Sequence, residues 1–275
     1  GVDLKDGRTL PAEARAIESL AKSNVIAVIV GATDPAAVDA AGARAEGLGL
    51  PMISLHGQPE KRTVGKFVFH LRHSASARAR ILAQKAIAAG VKEFAMLAPD
   101  SGYGRVVSAA FEEEVKKGGG KVTKTVTYPE KTTSFTTFTN KLEKSWKAIF
   151  IPENAQNLAL ITPALAASGH TPQPIDTKTV KGSRPILLLS TAEGLDGRYM
   201  ENAGRHSTGA LFAPGYYPDD QDPASKAFID QFLASFGRAP SHTEAYAYDA
   251  AQLAAAAGAG GRAALAAALS SGTLV

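Results

Sequence analysis

Short runs of β-branched and apolar residues alternate along this chain with longer segments of helical period, and that alternation restricts the fold more than any other feature. The runs Val25 to Val30, Met52 to Leu55, Phe67 to Leu71, Phe94 to Ala98, Val122 to Tyr128, Ala148 to Ile151, Ile186 to Leu189 and Gly209 to Phe212 are predicted strands. Between them lie predicted helices at Ala12 to Ala21, Pro35 to Leu48, Ser76 to Ala89, Gly104 to Lys117, Phe135 to Lys144 and Ala155 to Ser168. Strand, helix, strand in series specifies an α/β protein built from right-handed parallel units, with helices flanking the sheets.

Local signals punctuate the pattern. Thr33-Asp34-Pro35 sets capping residues before a proline at the first helical position, where the missing N–H costs nothing. Gly90 reads as a helix stop. The stretch His170 to Arg184 has no period and reads as a surface loop. From Asp222 onward the pattern is helical, over Pro223 to Phe236, Thr243 to Ala257 and Ala263 to Ser270, and the alanine-rich end should pack closely on a sheet.

A chain of 275 residues exceeds the size at which a single core is commonest, so two lobes are expected. Its formal charge of +4 is spread along the chain without the basic stripe that nucleic acid requires. Lys116-Lys117 and Lys121 to Lys124 read as solvated helix ends and strand edges. The absence of cysteine removes disulfides, thiol catalysis and cysteine-based metal sites. No apolar run is long enough to span a bilayer. Hydrolase elbows, zinc-protease motifs and phosphate loops are missing, and Gly102-Tyr103-Gly104 lacks the third glycine of a dinucleotide fingerprint. His70 and His73 have no carboxylate at a suitable distance, so no metal and no cofactor is expected.

Several phrases in fixed order carry a resemblance that covers nearly the whole chain. They are Val25 to Ala32, Leu50 to Ser54, Phe67 to Arg72, Phe94 to Gly104 with its Pro-Asp-Ser-Gly-Tyr-Gly ending, Gly209 to Pro214, and Asp222 through the Ala-Tyr-Ala-Tyr-Asp-Ala of Ala245 to Ala250. Together they resemble the extracellular ligand-binding proteins related to the branched-chain amino-acid receptors of ABC transporters. Within that class, Ala148 to Ala166 looks closest to the periplasmic domain of penicillin-binding protein activators.

The resemblance implies a two-lobed type I periplasmic-binding-protein fold that closes around a small molecule. One lobe would comprise residues 1–71 with 215–275 and the other residues 72–214, with further chain expected at both ends of the first. It implies a non-catalytic solute receptor in the periplasm or outside the cell, working with a membrane permease. The alternative is a lipid-anchored activator that touches a cell-wall synthase.

The expected ligand residues lie where parallel strands end and helices begin. Thr33 and Asp34 occupy the loop that binds the ligand carboxylate in amino-acid receptors, although a helix cap is the simpler role and Asp34 would repel a carboxylate. His56, Gly57 and Gln58 form a second loop. Tyr103 matches a family tyrosine that covers the ligand, and Glu193 matches the family glutamate that pairs with an amino group. Glu153 and Asn154 complete the set.

Overall fold

The computed structural model describes residues 12–31, 34–57, 65–72, 74–142, 145–174, 184–192, 195 and 197–271. They fall into two compact units, Gly1–His73 with Gly215–Val275 and Ser74–Pro214.

The first unit opens with α1 (Ala12–Lys22), β1 (Val28–Val30), α2 (Pro35–Gly47), β2 (Met52–Gly57) and β3 (Val68–Arg72). The strands form a parallel sheet in the order β1-β2-β3, with Val28 beside Met52 and Met52 beside Val68. Ile17, Val38, Ala41 and Ala45 from the helices close over Val28, Leu50 and Met52 on one face. Asp34 caps α2, its carboxylate accepting the Ala37 N–H at 2.9 Å, with Pro35 at the first turn. Only Val28 to Val30 of the first apolar run is strand, because the run is longer than the edge strand it feeds.

The second unit continues with α3 (Ala75–Ala88), β4 (Glu93–Pro99), α4 (Gly102–Lys117), β5 (Lys121–Tyr128), α5 (Thr136–Thr139), β6 (Ala148–Ile151), α6 (Ala155–Ala167), β7 (His170–Pro172), β8 (Arg184–Thr191), α7 (Gly197–Ala203) and β9 (Leu211–Ala213). All six strands are parallel, in the order β5-β4-β6-β8, with β7 along the first half of β8 and β9 along its last residues. Strands covered on both faces read as continuous apolar runs, as Phe94 to Ala98 does. Phe111 stacks on Phe150 at 4.2 Å beneath α3 and α4. On the opposite face Trp146, Ile149 and Ile151 meet Leu158, Ile161 and Leu165 of α6.

Two expectations are corrected here. The segment from His170 contains a strand, because buried His170 stacks on Trp146 at 4.7 Å and a three-residue edge strand tolerates Pro172. The helix expected over Phe135 to Lys144 shrinks to α5, whose threonines favour turns over a sustained helix.

The first unit resumes with α8 (Pro223–Phe236), α9 (His242–Ala257) and α10 (Gly261–Ser271). Ala250 of α9 packs with Ile53 and Leu55, and Ala254, at the start of the alanine-rich stretch, packs against the same cluster. Arg262 of α10 donates to the carbonyls of Val25 and Ala21 at 2.8 and 2.9 Å, satisfying the carbonyl end of α1.

Candidate functional site

In a parallel sheet, the strand ends that feed helix N-termini gather on one edge, and backbone N–H groups point outward there. In the second unit that edge holds an open pocket of about 320 Å3 lined by Pro99, Ser101, Tyr103, Glu130, Pro152, Glu153, Asn154 and Asn157. Each element contributes for a local reason. The chain leaves β4 at Pro99, Ser101 caps α4 by accepting the Gly104 N–H at 2.8 Å, and Tyr103 projects from the first turn.

Gly104 explains the glycine pair that resembled a nucleotide loop. A Cβ there would lie 2.1 Å from the Pro99 carbonyl oxygen, so the residue exists to let α4 pass close over β4. Tyr103 is 39% exposed and its hydroxyl shares a hydrogen bond of 2.9 Å with Thr191, the buried last residue of β8. The hydroxyl is thereby anchored while the residue stays partly exposed at the pocket.

Glu153 follows β6 and is only 5% exposed. Its Oε1 accepts from the Tyr128 hydroxyl at 2.9 Å and from Asn157 Nδ2 at 3.1 Å. Its Oε2 accepts from the Asn154 backbone N–H at 2.8 Å and from Asn154 Nδ2 at 3.0 Å. Asn154 in turn caps α6, its Oδ1 taking the Asn157 N–H at 3.0 Å. Burial pushes the Tyr128 hydroxyl well above its ordinary value, and the neighbouring Glu153 pushes it further, so the tyrosine stays protonated and donating.

Of the residues singled out in the sequence, Tyr103, Glu153 and Asn154 line this one pocket. Asp34 belongs to the other unit and is engaged as a helix cap. His56 and Gly57, expected in a loop, are the last residues of β2, where an irregular register between Ser54 and Gly57 lengthens the strand. Thr33, Gln58 and Glu193 lie outside the described residues. Sequence reasoning passed over Asn157 and Glu130. The helix-capping pattern of Asn154 with a residue three positions on was visible, but the approach of Tyr128 to Glu153 joins the end of one strand to the loop after another and has no local signature.

Comparison with known proteins follows the same lines. No curated protein matches the chain. Among solved structures, a branched-chain amino-acid ABC transporter protein from Rhodospirillum rubrum superposes with a TM-score of 0.78 at 18% identity, over 96% of this chain and 77% of the other. The substrate-binding protein LivJ from Streptococcus pneumoniae, solved with isoleucine, gives 0.65 at 23% identity over 94% and 71%. A solute-binding protein from R. palustris, solved with benzoate, gives 0.63 at 19% identity over 96% and 72%. These likenesses establish the two-lobed periplasmic-binding-protein fold. A sequence profile of that family matches residues 5–275, and the chain belongs to the periplasmic binding protein family.

Proposed function

We propose that this protein is a non-catalytic receptor for small solutes, of the branched-chain amino-acid-receptor type, acting in the periplasm or at the cell exterior and delivering its ligand to a membrane permease. The observation that carries the reading is the pocket on the strand-end edge of the second unit, walled by Tyr103, Ser101, Asn154 and Asn157. Its side chains are suited to hydrogen bonding and stacking, the work of reversible binding. Tyr103 covers the solute, and Thr191 holds the ring in place.

Fold alone does not set the ligand, since one structural neighbour holds isoleucine and another benzoate. In the carboxylate-binding loop implied by family resemblance, Pro35 has no N–H, Ala37 N–H is taken by Asp34, and Val38 N–H is taken by the Asp34 carbonyl. Fewer N–H groups are left at that turn and the Asp34 charge sits beside them, so the preferred solute relies little on a carboxylate there. The activator reading draws no support from these neighbours, which are transport proteins.

Thermal-shift screening of the full chain against amino acids, amines, sugars and aromatic acids tests the proposal. A solute bound only by the native state raises stability by RT ln(1 + [L]/Kd). A concentration-dependent rise with at least one solute is expected, and no rise across the whole panel would refute the receptor role.

A further inference from the structure

We infer that Asn157 is the specificity-determining residue of the second unit's pocket, held with its carbonyl toward the ligand by Glu153, and that the group it selects is an amine. The inference rests on the receptor reading above and adds the chemistry of the ligand.

A carboxylate accepts hydrogen bonds and donates none, so an amide beside it must turn its NH2 inward. Asn157 donates Nδ2 to Glu153 at 3.1 Å, and its backbone N–H is spent on Asn154. The amide oxygen is the acceptor left over, on a residue that lines the pocket, and it has no partner among the described residues. Asn154 has no such freedom, because its Nδ2 goes to Glu153 and its Oδ1 to the Asn157 N–H.

Glu153 itself is a positioning residue. Its two oxygens already receive four hydrogen bonds, two each, which fills the capacity of a carboxylate. A ligand would have to displace one of them to reach it. The rest of the wall agrees in sign. Glu130 adds an exposed carboxylate at the rim, and the lining residues include no Lys, Arg or His. A fixed carbonyl beside a carboxylate, with no cation among the described lining residues, favours a positively charged donor and disfavours an anion.

Three probes of one carbon skeleton separate the possibilities: leucine, leucinol, which keeps the amine and lacks the carboxylate, and isocaproate, which keeps the carboxylate and lacks the amine. Titration calorimetry of the full chain should show leucinol bound at least about tenfold more tightly than isocaproate, the worth of a hydrogen bond to a charged group. Asn157→Leu should cost leucinol about tenfold or more while moving isocaproate by less than about twofold. Glu153→Gln supplies a side chain that can donate, letting the Asn157 amide reverse, and should narrow the preference for leucinol severalfold without a matching loss for isocaproate. Thermal melts of both variants report folding. If Glu153→Gln does not fold, Asn157→Leu, which leaves Glu153 with three of its donors, still decides the specificity claim.

A wild type that prefers isocaproate or fails to distinguish the two overturns the inference, as does an Asn157→Leu variant that weakens both equally or neither. A folded Glu153→Gln protein with unchanged preference overturns the positioning role. Failure of the wild type to bind any of the three would refute the receptor reading for such solutes and take this inference with it.

Discussion

Replacing Gly104 with alanine is the sharpest test of how α4 is seated. Glycine within a helix normally costs about 1 kcal/mol relative to alanine, so propensity alone predicts that Gly104→Ala stabilises the protein. The structure reverses the sign. The added methyl would sit 2.1 Å from the Pro99 carbonyl oxygen and 3.0 Å from the Pro99 ring, so strand and helix must part by about 1 Å to reach ordinary contact. The obstacle is backbone, which cannot rotate aside, so the strain belongs at or above the upper end of the roughly 1–3 kcal/mol that overpacking costs. After the propensity gain, the net loss is about 2 kcal/mol, corresponding to a fall in Tm of about 4–8 °C for a protein of this size. Circular dichroism melts of the two proteins measure it. Solute binding should weaken as well, because Ser101 and Tyr103 ride on the displaced turn. A Gly104→Ala protein that melts at or above the wild-type temperature would refute the reasoning.

Three further outcomes follow from other parts of the chain. Asp34→Ala removes the side-chain acceptor of the Ala37 N–H at the start of α2 and should cost about 1 kcal/mol in urea unfolding, whereas an unchanged midpoint would refute the cap. At the start of α9, Glu244 accepts from the Ser241 N–H and pairs with Arg238, and these partners, Arg238 foremost, hold its carboxyl at about 2 against an ordinary 4.5. A lowered value means that the contact stabilises above pH 4.5 and is lost as pH falls towards 2, so amide exchange at the start of α9 should quicken across that window. Tyr128→Phe strips one donor from buried Glu153 and should cost about 1–3 kcal/mol in urea unfolding. Since burial raises the Tyr128 value above 10, the wild type should also lose stability as pH climbs past 10, and an unchanged urea midpoint from pH 9 to 11 would contradict the assignment.

Much of this architecture was legible in the sequence because the second unit's sheet is covered on both faces. Residues 94–98 and 148–151 are apolar for that reason, and the glycines and capping residues after them mark where helices begin. The short elements were less legible. Strand β7 depends on a stacking contact between Trp146 and His170 that no local pattern announces, and β2 runs two residues past its apolar stretch because its partner β3 extends the pairing.

The site divides in the same way. Tyr103 and Asn154 were visible because each opens a helix behind a strand, a position defined within a few residues. The role of Glu153 was not, since the donors that fill it come from β5, from its neighbour and from the first turn of α6. Asp34 shows the converse. The sequence offered a ligand contact and a helix cap as alternatives, and the carboxylate is bonded to the Ala37 N–H.

The central claim is that the pocket around Tyr103 binds a small solute. Titrating the full chain and its Tyr103→Ala variant, by calorimetry, with whichever solute stabilises the protein most tests it directly. Saturable binding of one solute per chain is expected, with a loss of about tenfold or more in the variant, since both an aromatic ring and a hydroxyl are removed. Equal affinity in the two folded proteins would place the solute elsewhere and contradict it.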